Sequence, residues 1–335
     1  MGDGFLAHYL RPLRPLIEDP AAIEIAINAD GRVWIERSGA SHMVAVATMQ
    51  LRPHEVSDLA AQIANEVRQP LTEQMPMVSA TIASGPVTLR AQVLIPPAVA
   101  QGAVIALRLF RARGTDDAPR RFGFLRPPER SSEAERQARV AKIRQLLGRN
   151  DDPDAFLRAA IDMHLNILVS GGTSTGKTEL ARRLQWMISE RERLVLIEDA
   201  PELMPAQPNH VSLIATRDDT AARSAERLLQ ATLRLRPDRI ILGELRGREA
   251  VTYLSAINSG HGGSFTTLHA ETARKALDKL ALLVLQTGTQ LSFAEVLRYL
   301  RGSIDVVIQA GRVGAERGIL EVWFPGLEIN EEEPA

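Results

Sequence analysis

The sequence predicts an α/β protein, with a C-terminal α/β domain behind a smaller α+β N-terminal domain. Three observations carry this expectation. From about Pro153 onward, short apolar runs alternate with helical spacing, the mark of a largely parallel sheet flanked by helices. Between Ile23 and Phe110, strand-like runs broken by turn signals surround one or two helical stretches. In the C-terminal half, one glycine-rich turn joins an apolar run to a helix.

In the N-terminal segment, Ile23–Ile27 and Arg32–Glu36 flank Ala29-Asp30-Gly31 and read as a hairpin. Val56, Leu59, Ala60, Ile63 and Val67 recur at helical spacing. Thr88–Leu94 and Ala103–Leu109 read as strands parted by Pro96-Pro97 and Gly102. Residues 111–149 hold 11 Lys/Arg against 5 Asp/Glu, with several prolines and a helix-like stretch near Glu133–Leu147. They read as a connector whose basic surface also suits anionic lipid or an acidic partner. The domains expected are therefore 1–110, a basic linker at 111–152, and 153–335.

In the third segment, Leu165–Ser170, Leu194–Ile197 and Ile240–Leu242 are continuous apolar runs, as expected of strands covered on both faces. Length and composition exclude several classes. The chain has 335 residues, enough for about two domains. Its net charge of -1 gives no support to a stable nucleic-acid groove. It has no cysteine, which excludes disulfides, thiolate metal sites and a cysteine nucleophile, and fits the cytoplasm. The N-terminus lacks the uninterrupted apolar core of a signal peptide, and no stretch approaches the ~18 apolar residues of a membrane span. Membrane contact is thus expected to be peripheral.

The pattern G-x-x-x-x-G-K-[ST] is met by Gly171-Gly172-Thr173-Ser174-Thr175-Gly176-Lys177-Thr178. An apolar strand precedes it, and a helix follows with Leu180, Leu184, Met187 and Ile188 on one face. Glycines let backbone N–H groups turn inward into an anion-binding nest, and the helix N-terminus adds its dipole. Lys177 supplies a point charge for β- and γ-phosphates and Thr178 a hydroxyl for Mg²⁺, so the pattern points to ATP with Mg²⁺.

Hydrolysis needs carboxylates as well. Leu194–Ile197 leads into Glu198-Asp199, and Arg239–Leu242 leads into Gly243-Glu244. Acids at the C-terminal ends of parallel strands sit where α/β sheets bind ligands. Glu244 and Glu198 are the stronger candidates; Asp199 and Glu202 are weaker. The loop from Asn258 to Ala270 sets glycines and serines around His261 and His269, which suits close approach to a ligand. No third ligand lies at metal-binding spacing.

These motifs resemble the secretion-superfamily traffic ATPases, the motors of type II and type IV secretion, pilus assembly and conjugation. The phosphate loop, the acidic box Ile197–Leu203, the run Arg236–Gly247 and the histidine box Gly260–Ala270 occur in that family's order. The likeness looks closest to the type IV secretion and conjugation branch, through Ile23–Asn28, Gly31–Glu36 and Leu165–Thr173; the lack of cysteine argues against the type II branch. Glu271 and Glu179 depart from residues common in the family, but both flank the motifs.

The resemblance implies a RecA-like P-loop fold and a closed homo-oligomer, a hexamer, working with inner-membrane secretion or conjugation components. It places the chain in the cytoplasm, peripheral to the inner membrane. It implies that Glu198 orients or activates the attacking water, that Glu244 supports Mg²⁺ and the γ-phosphate, and that His269 senses the γ-phosphate. It further implies that the N-terminal domain folds over the nucleotide and lends Arg90 and Arg108. Arg234 and Arg236 resemble the family's arginines before the second acidic strand, with no role assigned. A pilus or tight-adherence ATPase of the same superfamily shares every motif, and a nucleotide-dependent scaffold with little turnover is a third reading.

Overall fold

A computed structural model describes residues 5–111, 123–129, 131–147 and 152–327. Along the chain run α1 (Phe5–Leu10), α2 (Arg14–Glu18), β1 (Ala22–Ile27), β2 (Arg32–Arg37), β3 (Val44–Gln50), α3 (Pro53–Glu66), β4 (Met77–Ser84), β5 (Val87–Leu94) and β6 (Val104–Arg111). Then follow α4 (Ser132–Leu147), α5 (Pro153–Asp162), β7 (Ile167–Ser170), α6 (Lys177–Trp186), β8 (Leu194–Glu198), β9 (His210–Ile214), α7 (Ala225–Thr232) and β10 (Arg239–Leu242). The chain closes with α8 (Glu249–Asn258), β11 (Phe265–Leu268), α9 (Ala273–Leu285), α10 (Phe293–Ser303), β12 (Val306–Val313) and β13 (Glu316–Trp323).

Two compact units form, and neither is continuous in sequence: Met1–Ala112 with Ser189–Ile241, and Arg113–Ile188 with Leu242–Ala335.

In the first unit a six-stranded sheet has the order β3-β2-β1-β6-β5-β4. Its observed pairings are antiparallel. One face is apolar because its strands alternate: Val87, Leu89, Ala91 and Val93 of β5 are buried while Thr88 and Arg90 are exposed. α3 presents Val56, Leu59, Ala60 and Ile63 to the same core, and Leu6, Leu10 and Leu13 of the N-terminal segment join it. Pro53 opens α3, and Glu55 accepts from the Arg52 N–H at 2.8 Å, half of a capping box.

Ser189–Ile241 contributes the parallel pair β8–β9, with β10 beside β8. Ile214 N donates to the Ala98 carbonyl at 2.8 Å, beside a bridge between Val99 and Leu213. The fully buried Arg193 ties these parts together. Its Nη1 donates to Asn28 Oδ1 at 2.8 Å and to Asn209 Oδ1, and its Nε donates to the Leu235 carbonyl at 2.8 Å. Burial pulls its pKa down to about 10, against the opposing charges of Glu24 and Asp238. Arg236 reaches both carboxylate oxygens of Glu36, at 2.7 and 2.9 Å, a fork-on-fork pair.

In the second unit the strands run β13-β12-β7-β11, with β12, β7 and β11 parallel and β13 antiparallel to β12. β7 and β11 are buried along their whole length, which is why they read as unbroken apolar or small runs. The expected basic connector contains α4, which is held by specific contacts. Arg136 Nε donates to Asp305 Oδ1 at 2.8 Å and its Nη2 to the Ser303 carbonyl at 2.8 Å, while Val140 and Ile143 are buried. Its remainder, residues 112–122, 130 and 148–151, lies outside the described residues.

Candidate active site

The glycine-rich turn spans the end of β7 and the start of α6. Gly171 is a close-approach position: a Cβ there would lie 2.4 Å from Thr175 Oγ1 and 2.6 Å from the Ala310 carbonyl oxygen. Gly176, the residue before α6, has φ +92°, a state that favours glycine. Having no side chain, it supplies no side-chain cap to the first turn of α6, so the N–H groups there keep their capacity for an external acceptor. Gly172 and Thr173 form the turn with Ser174, whose φ is +61°. Thr175 Oγ1 donates to the Gly172 carbonyl at 3.0 Å, and Thr178 lies in the first helical turn, half-buried.

Lys177 is 8% exposed. Its Nζ donates to the Gly171 and Gly172 carbonyls at 3.0 and 2.7 Å and lies 3.3 Å from Nδ1 of His269. Desolvation lowers its pKa, the nearby Glu244 opposes that, and Lys279 adds to it. His269, just past β11, contacts Glu244 through Nε2, 3.3 Å from Oε1. Its pKa too is lowered, mainly by desolvation, with Glu244 opposing and Lys177 reinforcing. Glu244 in turn accepts from Arg246 Nε at 2.8 Å. Lysine, histidine, carboxylate and guanidinium thus line up at the C-terminal ends of β7 and β11.

The supports of this row come from neighbouring strands and helices. Thr267 Oγ1 donates to the Gly243 carbonyl at 2.7 Å, and Leu245 N to the Thr267 carbonyl at 2.9 Å, fixing Glu244 against β11. The buried Glu249, first residue of α8, accepts from Arg246 N and Gly247 N at 2.6 and 2.8 Å, holding the turn that leads from Glu244 into the helix. Lys279 Nζ donates to the His269 carbonyl at 2.8 Å, and Gln309 Nε2 to those of Ala270 and Glu271 at 3.3 and 3.1 Å. Below, Asn166 N donates to Asp305 Oδ2 at 2.7 Å, and Gly263 N to Asn166 Oδ1 at 2.9 Å. His261 takes part through its carbonyl, which accepts from Ser264 Oγ at 2.7 Å.

The other expected site residues lie in the first unit. Glu198 ends β8, buried, with Oε1 accepting from Glu202 N at 3.0 Å and Leu203 N at 3.1 Å. Asp199 pairs with Arg217 at 3.2 Å. Arg90 and Arg108 are register partners across β5 and β6, both exposed, with guanidinium carbons 4.6 and 5.7 Å from the centre of the Phe110 ring. Of the two arginines left without a role, Arg236 is bound to Glu36 and Asp238.

Arg246, Lys279, Gln309 and Phe110 were not among the sequence candidates. Arg246 was within reach of sequence reasoning, two residues from Glu244. Lys279 and Gln309 arrive from α9 and β12, and nothing local marks them. Among the described residues no group of three or more His, Cys, Asp or Glu side chains is arranged to hold a metal, and no helix is long and apolar enough to cross a membrane.

Comparison with known proteins identifies the family. Residues 133–312 match the family model described as type II/IV secretion system protein. The chain is 36% identical to the type IV secretion system protein VirB11 of Brucella suis biovar 1, over 94% of this chain and 89% of that one. It is 31% identical to protein VirB11 of Rhizobium radiobacter, over 96% and 94% of the two chains. Its fold matches the crystal structure of the VirB11 ATPase from the Brucella suis type IV secretion system in complex with sulphate, with a TM-score of 0.80 and 32% identity over 97% of each chain. The fold is thus a C-terminal RecA-like P-loop domain with a smaller α+β N-terminal domain. The chain belongs to the type II/IV secretion system protein family and is an ATP-hydrolysing traffic ATPase of type IV secretion.

Proposed function

We propose that the row Lys177–His269–Glu244 is the phosphate end of the hydrolytic site, and that ATP with Mg²⁺ is its substrate. The observation that carries this reading is the buried Lys177 ammonium inside a turn whose Gly171 admits no Cβ, beside a histidine and a carboxylate. The site fits a magnesium-bound polyphosphate: backbone N–H groups of Gly172 to Thr178 cradle the anion, Lys177 gives it a charge, and Thr178 with Glu244 would hold the metal. The metal, when bound, supplies charge neutralisation at the phosphates.

The roles we assign to the chain's own residues are those the family resemblance implies, and their settings support them. His269 senses the γ-phosphate in this reading, which its contacts with Lys177 and Glu244 support. Glu198, its Oε1 anchored by two backbone N–H groups, orients the attacking water as acceptor. Arg90 and Arg108 lend positive charge as negative charge spreads in the transition state. In this division residues 1–110 form the lending domain, 111–152 the connector and 153–335 the hydrolytic domain. The assembly is a closed hexamer, cytoplasmic and peripheral to the inner membrane, coupled to secretion or conjugation components. The basic stretch at 111–149 supports the membrane contact.

Glu244→Gln tests this reading. It removes a charge beside Lys177 and His269 but leaves the backbone cradle. The expected result is retained nucleotide binding with turnover down about 100-fold, the scale of losing one electrostatic catalytic group. Normal turnover would reduce Glu244 to a strand-end acid. Light scattering with a non-hydrolysable ATP analogue tests the ring; a strict monomer at micromolar concentration contradicts it.

A further inference from the structure

The β12–β13 hairpin reaches the phosphate loop. β12 pairs with β7 as far as Gln309 opposite Ser170, the last residue of β7. β12 then continues to Val313, while the chain leaving β7 turns into the glycine-rich loop, and β13 returns from Glu316. The hairpin end therefore overhangs the C-terminal edge of β7. Its nearness shows at Gly171, where a Cβ would lie 2.6 Å from the Ala310 carbonyl oxygen.

On this overhang Arg317 is the register partner of Arg312. Arg317 Nε donates to the Ser174 carbonyl at 3.0 Å. Its aliphatic part lies along the loop as well: a Cβ at Gly176 would sit 3.6 Å from Arg317 Cδ. Ser174 has φ +61°, uncommon for a residue with a side chain. A trans peptide unit is planar, so its C=O and N–H point in opposite directions. With the Ser174 carbonyl turned to the hairpin, the Thr175 N–H is turned away from it. A guanidinium donating to a carbonyl is a charge-assisted bond, stronger than a neutral one.

We propose that Arg317 is a positioning residue of the phosphate loop: by holding the Ser174 carbonyl it fixes the Ser174–Thr175 peptide with the Thr175 N–H on the phosphate side, and so sets affinity for nucleoside di- and triphosphates. This rests on the phosphate-binding role of the loop. Because Arg317 acts through the backbone, it affects diphosphate and triphosphate alike and acts on binding rather than on bond cleavage.

The test uses the full chain, with affinities for a fluorescent ADP and a fluorescent non-hydrolysable ATP analogue, KM and kcat for ATP, and a melting curve. The variants are Arg317→Ala, Arg317→Lys and Lys177→Ala. Arg317→Ala should weaken both nucleotides about tenfold, the scale of one hydrogen bond to a charged group, and raise KM by a similar factor. It should leave kcat within about twofold, as expected when ground state and transition state lose the same interaction. Arg317→Lys, which can still donate to the carbonyl, should recover most of the loss. Unchanged affinity in Arg317→Ala overturns the proposal. So does a loss confined to the triphosphate, which would make Arg317 a γ-phosphate contact, or a loss that tracks a lowered melting point and is not rescued by lysine. If Lys177→Ala also binds nucleotide normally, the failure lies with the phosphate loop itself and not with Arg317 alone.

Discussion

Nζ of Lys177 lies 3.3 Å from Nδ1 of His269, two residues 92 positions apart in sequence. An ammonium has no lone pair, so Nδ1 is the acceptor and the proton of a neutral imidazole sits on Nε2, which faces Glu244 Oε1 at 3.3 Å. One tautomer is thereby selected, and the imidazole is held between a cation and an anion.

The first prediction is that His269 is neutral at pH 7 with its proton on Nε2. Its pKa is depressed from the ordinary 6.5, chiefly by desolvation, with Lys177, Lys279 and Arg246 adding to the effect and Glu244 opposing it. A depressed histidine favours the folded state above the unfolded pKa, and this contribution is lost as pH falls from 6.5 through the folded value. Nitrogen-detected NMR of ring-labelled protein should show the Nε2–H tautomer and a titration midpoint below 6.5. A midpoint above 6.5 would mean that Glu244, not burial and Lys177, governs the ring.

Glu24 carries the second prediction. Buried on β1 between Glu36 and Arg108 in register, it has its pKa pushed up to about 7, mainly by desolvation, with Arg108, Arg236 and Arg193 opposing and Glu36 reinforcing. A carboxyl with a raised pKa favours folding below its unfolded value of 4.5, and the contribution is lost as pH rises to about 7. Relative to Glu24→Gln, the natural chain should lose roughly 3 kcal/mol of stability between pH 4.5 and pH 8. Denaturant unfolding at the two values measures it, and a pH-independent difference between the proteins would refute it.

The third concerns Arg193. Its removal takes a donor from Asn28, Asn209 and the Leu235 carbonyl, so Arg193→Ala should cost about 3 kcal/mol, the scale of leaving buried acceptors unsatisfied. A loss below 1 kcal/mol in urea unfolding would show that the network relaxes around the gap.

How far was this legible in advance? β7, β8 and β10 were, because strands buried on both faces leave unbroken apolar runs. β3 was not: its residues are mostly exposed and it lies on the sheet edge, so no contrast between faces is imprinted on VAVATMQ. β13 was missed for the same reason. β4 does alternate, burying Val78, Ala80 and Ile82, but its small Ser and Ala residues blur the period. The loop Gly171–Thr178 was fully legible, since its chemistry is local. Its convergence with His269 and Glu244 was expected from the family resemblance; the support from Lys279, Gln309 and Arg317 depends on register and helix placement that no local pattern encodes.

A fourth prediction follows from the arginine pair. Like charges directly opposite on a sheet repel, yet Arg90 and Arg108 are register partners, with Phe110 beneath both. Both are exposed, so Arg90→Ala should leave the melting point unchanged and Arg108→Ala, which also removes a counter-charge of Glu24, should leave the chain folded, while each lowers ATP turnover at least tenfold, as when a cation serving the transition state is removed. Full turnover in both variants would return them to ordinary surface residues. So would an isolated chain from Pro153 onward that hydrolyses ATP as fast as the whole protein.

The most direct measurement is ATP turnover by Lys177→Ala, with circular dichroism to check the fold. Lys177 places its ammonium among the Gly171 and Gly172 carbonyls and against His269, so its loss should abolish turnover while the spectrum and cooperative melting of the folded chain persist. A folded Lys177→Ala protein that hydrolyses ATP at the natural rate would contradict the placement of the phosphates at Gly171–Thr178.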